Sequence, residues 1–90
     1  MIEVGKIEDW PVQYIPERRM LFCKNTAISL DKIELMLRSS LSRERDEAKN
    51  LTIVKLNNVV QFGCLTTTLD NVENIRKQIK NYERNSRRQG

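Results

Sequence analysis

Histidine is absent from this 90-residue chain. The commonest general base and the commonest transition-metal ligand are therefore both missing. Only two cysteines occur, Cys23 and Cys64. Their separation allows neither a CxxC redox motif nor a zinc knuckle, so both read as small apolar core residues, with a disulfide between two hairpins as the alternative. The three glycines, Gly5, Gly63 and Gly90, are scattered, which excludes a glycine-rich phosphate loop. No apolar run approaches the roughly 18–20 residues that span a bilayer. The segment Met1-Ile2-Glu3-Val4-Gly5-Lys6 lacks the basic-then-apolar layout of a secretion signal, so a cytoplasmic chain with reduced thiols is the expectation. Aromatics are few, at 6%, which leaves little for stacking on bases.

What remains is a soluble globular composition, 39% apolar and 31% charged. Ninety residues make one thin-cored domain that a second copy or a partner would help to stabilise. The net charge of +4 is uneven. Residues 76–90 carry Arg76, Lys77, Lys80, Arg84, Arg87 and Arg88 against Glu83 alone, whereas the first 75 residues hold 10 basic and 11 acidic side chains.

The pattern is organised by an internal repeat. Leu51 to Glu73 reads as strand, turn, strand and capped helix, and the same pattern lies at Val12 to Glu34 without a gap. Ser29-Leu30-Asp31-Lys32-Ile33-Glu34 matches Thr68-Leu69-Asp70-Asn71-Val72-Glu73 in residue class at nearly every position. In the second copy Asn57-Asn58 suits a type I′ turn, which sets Leu56 opposite Val59, Lys55 opposite Val60, Val54 opposite Gln61, Ile53 opposite Phe62 and Leu51 opposite Cys64. In the first copy Pro16-Glu17-Arg18-Arg19 is the turn between Val12–Ile15 and Met20–Asn25. Ser29 and Thr68 read as N-caps, with Asp31 and Asp70 in the first turns. Leu30, Ile33, Leu37 and Leu41 stripe the first helix; Leu69, Val72, Ile75, Ile79 and Tyr82 stripe the second.

The expected fold is α+β: a duplicated β-β-α unit giving a four-stranded antiparallel sheet with two helices on one face. The single domain divides into an N-terminal arm or edge strand (1–11), two units (12–48 and 51–83) and a basic tail (84–90). Trp10 is expected to pack over one end of the core. The mixed-sign run Ser42-Arg43-Glu44-Arg45-Asp46-Glu47 is expected to be a solvated helix end or linker, and the chain past Tyr82 to be frayed.

Motifs for catalysis are weak. Ser29-Leu30-Asp31-Lys32 has the S-x-x-K form of a nucleophile motif, but no partner motif accompanies it, and the repeat position Thr68-Leu69-Asp70-Asn71 keeps the cap and loses the lysine. Asn50-Leu51-Thr52 fits a glycosylation acceptor, without consequence in an unsecreted chain. Glu3, Glu8, Asp9 and Glu17 have nothing that pairs them. No catalytic, cofactor or metal residue is assigned.

Two surfaces remain. If the helices cover the side with Val12, Tyr14, Leu21 and Cys23, and with Leu51, Ile53, Val60, Phe62 and Cys64, the other side keeps Ile15, Met20, Phe22, Val54, Leu56 and Val59. That would be an apolar patch of roughly several hundred Å², larger than monomers usually expose. The N-terminal arm could cover it, or a second copy, or another protein partner. The expected function is accordingly a non-catalytic interaction module, a homodimer or partner-docking protein. The alternative is nucleic-acid binding by Arg76, Lys77, Lys80, Arg84, Arg87 and Arg88, helped by Arg18, Arg19 and Lys24.

Overall fold

The first unit turns out to hold four strands before its helix. Strands β1 (Ile2–Ile7), β2 (Trp10–Ile15), β3 (Met20–Cys23) and β4 (Thr26–Ser29) form an antiparallel sheet in chain order, and α1 (Leu30–Arg38) follows directly. Strands β5 (Arg43–Asp46), β6 (Leu51–Leu56), β7 (Val59–Phe62) and β8 (Leu65–Thr68) form a second such sheet, followed by α2 (Leu69–Gln89). The computed structural model describes residues 1–38 and 42–89, the last four of these as backbone only. Leu41 and the side chains of Arg87 and Arg88 lie outside the described residues.

The α+β class is as expected; the single four-stranded sheet is not. Each predicted hairpin is the centre of its own sheet and gains a strand on either side. Thr26–Ser29 and Leu65–Thr68, read as lead-ins to the caps, pair with β3 and β7. Turns with positive φ at Lys24 (55°) and Gly63 (63°) reverse the chain just before them. Their β-branched residues, Thr26 and Ile28, Thr66 to Thr68, suit that pairing. Arg43–Asp46 becomes an edge strand paired with Leu51–Val54 instead of a helix end or linker. Nothing in its intrinsic propensity asks for this; the partner strand supplies the structure. A charged edge also discourages pairing with foreign strands.

The repeat survives in the backbone. Leu30 N–H donates to the Arg19 carbonyl at 3.0 Å, and Leu69 N–H, 39 positions on, donates to the Asn58 carbonyl at 2.7 Å. The turns, however, are exchanged. The first sheet opens with the two-residue turn Glu8-Asp9, both at positive φ, and then uses a 3₁₀ turn, Pro16–Arg18, closed by Arg19 in the left-handed region. The second sheet uses the 3₁₀ turn first, at Glu47–Lys49 closed by Asn50, and then Asn57-Asn58. Of that last pair only Asn57 has positive φ, so the turn is not type I′, which needs both.

The β6–β7 register is as expected from Ile53↔Phe62 through Leu56↔Val59. It stops there. Gly63 turns out of the strand, donating its N–H to the Thr52 carbonyl at 3.0 Å, and Cys64 is exposed instead of facing Leu51. Cys23 is buried and both thiols are free.

The eight other residues assigned to the inner side, from Val12 to Phe62, are all buried. They join Val4, Ile7, Ile28 and Leu65 from the added strands and the apolar stripes of both helices in one core. The helices do not lie side by side on one sheet. Helix α1 packs on β4 and β5, and α2 packs on β8 and β1, so each touches the last strand of its own sheet and the first strand of the other. Gly5 makes the α2 contact feasible: its φ is 150°, and a Cβ there would stand 2.8 Å from Ile75 Cγ1. Beyond Tyr82 the chain stays helical to Gln89, since glutamate, arginine and glutamine favour helix and no proline or glycine intervenes. Glu83 is tied to the body, its carboxylate accepting from the Tyr14 hydroxyl at 3.2 Å.

Candidate interaction surfaces

The residues proposed as a sheet patch are divided between two sheets. Ile15, Met20 and Phe22 stand on the outer side of the first, and Val54, Leu56 and Val59 on the outer side of the second. The alternation that buries Val12, Tyr14 and Leu21 places the intervening residues outward. The N-terminal segment does not cover them, because it is β1, an edge strand within the plane of the first sheet. Ile15, Met20 and Val54 are half-buried; Leu56 is 68% exposed and Val59 45%. Leu56 and Val59 are direct cross-strand partners beside the Asn57-Asn58 turn. With Val54, Asn57 and Gln61 they line a mostly apolar hollow of about 270 Å³.

On the first sheet Phe22, 39% exposed, meets an unexpected neighbour. Trp10 does not pack over the core. It stands at the start of β2, 46% exposed, with the Lys24 ammonium 5.3 Å from its ring centroid. Trp10, Pro11, Gln13, Phe22 and Lys24 surround a hollow of about 230 Å³. The signal that pairs them is the register Gln13↔Phe22, which follows from the turn Pro16-Glu17-Arg18-Arg19 once Ile15 is set opposite Met20.

The basic residues of α2 also separate. Lys77, Lys80 and Arg84 are exposed and follow one another on successive turns of the same stripe. Arg76 is half-buried, its Nε 3.9 Å from Glu34 of α1 and without a hydrogen-bond partner. It belongs to the contact between the helices. Arg19 bonds the Asp31 carboxylate at 3.2 Å, and the Lys24 ammonium stands over the Trp10 ring, away from the α2 stripe.

Several of the residues weighed for chemistry are otherwise engaged. Ser29 ends β4, and the Lys32 ammonium donates to Glu44 of β5 at 2.7 Å, a bond that raises the lysine above its ordinary pKa and keeps it charged. A lysine acting as base would need the opposite shift. Glu8 accepts from the Thr66 N–H at 2.6 Å. Thr68 is an N-cap as expected, its hydroxyl accepting from Asn71 N–H at 3.1 Å. Burial raises the Tyr14 pKa, with the Glu83 carboxylate adding to it, and burial raises that of Cys23. A larger groove of about 490 Å³ lies between β1 and α2, beside Glu3, Gly5, Asn74 and Gln78. The Asn71 amide on its wall is spent on the Lys6 carbonyl at 2.7 Å and the Thr67 hydroxyl at 2.8 Å. Among the described residues no cluster of three or more cysteines and carboxylates could hold a metal ion, and no helix is long and apolar enough to cross a membrane.

Comparison with protein-family models, with curated proteins and with solved structures returned no match for this chain.

Proposed function

We propose that this chain is a small non-catalytic interaction module that self-associates through the open face of its second sheet. The observation that supports this reading is the Leu56–Val59 pair: two large apolar side chains, cross-strand neighbours, exposed beside half-buried Val54. Transferring such surface out of water is worth about 25 cal/mol per Å², and a twofold contact uses the same patch twice. Ile15, Met20 and Phe22 form the corresponding face of the first sheet and are the secondary contact. A reducing, cytoplasmic setting suits the exposed, unpaired Cys64.

Size-exclusion chromatography with light scattering tests it. A dimer is expected at high concentration, and Leu56→Asp should return the chain to its 10.6 kDa monomer. A wild-type monomer at high concentration would refute self-association.

A second reading is favoured by the exposed stripe Lys77, Lys80 and Arg84, to which Arg87 and Arg88 would be added: binding of nucleic-acid backbone along α2. A salt-sensitive mobility shift of labelled duplex, lost on reversing those three described charges, is its expected result.

A further inference from the structure

We infer that the hollow beside Trp10 and Phe22 on the first sheet is a binding site for single-stranded nucleic acid, with one base held against Trp10 and Phe22 and its phosphates against Lys24 and Lys6. Three observations converge on this place. The chain has one tryptophan and two phenylalanines; the tryptophan and one phenylalanine line the same hollow and both are exposed. The Lys24 ammonium lies over the Trp10 ring, so a cation and a π-face are presented together. Lys6 is exposed and sits directly opposite Pro11 in the register, which puts a second cation on the same side of the sheet as that wall.

The size and the charge choose the occupant. A hollow of about 230 Å³ is below the roughly 300–1,000 Å³ of drug-sized ligand pockets and suits one planar ring system. Lysines are depleted from the cores of protein–protein contacts, yet here they frame the aromatic pair. An ammonium beside an aromatic platform fits a ligand that carries a π-face and a negative charge in each repeating unit. Gln13, opposite Phe22 in the register, adds an amide able to donate to and accept from a base edge. Of the two carboxylates in the neighbouring turn, Glu8 is directed at the Thr66 N–H, which leaves Asp9 there and Glu3, directly opposite Gln13 in the register, as the opposing charges. This surface is separate from the Leu56–Val59 face and from the α2 stripe.

Because Trp10 is the sole tryptophan, its emission reports on this site alone. Titration with an oligothymidylate of about twelve nucleotides should give saturable quenching, since such sites span about 4–16 nucleotides. The quenching should be strong near about 50 mM salt and fall steeply as salt rises. Phe22→Ala and Lys24→Ala replace exposed side chains; with circular dichroism unchanged, each should weaken binding by about five- to a hundredfold. Leu56→Asp, and charge reversal at Lys77, Lys80 and Arg84, should leave the quenching in place. The inference is overturned if low salt gives no quenching, or if quenching is undiminished in both Phe22→Ala and Lys24→Ala. It is equally overturned if reversal of the α2 charges abolishes quenching, or if free thymidylate quenches as well as the strand at equal nucleotide concentration.

Discussion

Tyr14 and Cys23 are the two ionisable groups that this core takes furthest from water. Both are fully or almost fully covered, and both have their pKa raised, Tyr14 by burial and then by the Glu83 carboxylate, Cys23 by burial. Each is less acidic folded than unfolded, so each gives up its proton more readily in the unfolded chain. Their stabilising effect is complete below the ordinary values of 9.0 for the thiol and 10.0 for the phenol and is lost as pH rises through the folded values. Stability measured by urea denaturation should therefore decline above about pH 9, with a second, steeper loss above about pH 10. Tyr14→Phe should remove the second part of that decline. At neutral pH it should cost about 1 kcal/mol, the worth of the bond to Glu83.

The elements show how the same local device can serve in different surroundings. Thr68 caps α2 with a hydroxyl bond of 3.1 Å, and the repeat assigns Ser29 the same position before α1. Each helix also begins on a backbone bond reaching eleven residues upstream. Thr68→Ala should cost about 0.5–2 kcal/mol in thermal or urea unfolding without changing the dichroism of the folded state. An unchanged midpoint would show that the Leu69–Asn58 backbone bond alone secures this helix start. Charge plays a comparable part at the other end of α1, where the Lys55 ammonium donates to the Met36 carbonyl at 2.7 Å, a cation set at the negative end of the helix dipole. Strand β5 is held by such ties: Glu44 to Lys32 at 2.7 Å and the Arg45 guanidinium to the Thr52 hydroxyl at 2.8 Å. Glu44 and Arg45 are thus used for placement, while the Arg43 and Arg45 side chains stay exposed along the edge.

For the whole molecule, the crossed seating of the helices joins the two sheets through a common core. Helix α2 leaves the second sheet and lies on β1, burying Val72, Ile75 and Ile79 in the common core. The narrow point of that seam is Gly5. Gly5→Ala would force a Cβ against Ile75 at a backbone angle that side chains rarely adopt, and should destabilise the chain by about 1–3 kcal/mol. One cooperative transition at a lower midpoint is the expected outcome of a urea titration; two separate transitions would show that the sheets fold independently. The three surfaces discussed above also exist only at this scale. The Leu56–Val59 pair, the Trp10–Phe22 hollow and the α2 stripe lie on different elements, but Phe22 belongs both to that hollow and to the outer face of the first sheet with Ile15 and Met20, so a partner on that face and a strand in the hollow would compete for it.

Alternation along β2, β3, β6 and β7, the helical stripes, the cap at Thr68 and the repeat itself follow from residue order alone. Each is a local relation, decided by a side-chain period of two or 3.6 and by short-range hydrogen bonding. The same order placed Ile15, Phe22, Val54, Leu56 and Val59 away from the inner side. It could not show that they fall on two sheets, because strand number depends on pairings made far along the chain. Arg43–Asp46 becomes a strand only when β6 offers its edge, and Thr26–Ser29 and Leu65–Thr68 only when the turns before them close. Arg76 was indistinguishable from Lys80 along the sequence, and it took Glu34 on the other helix to turn it inward. Trp10 and Phe22, twelve residues apart, share a hollow because β2 and β3 are brought into register. Those outcomes belong to tertiary structure, where long-range pairing and packing outweigh what any short segment prefers by itself.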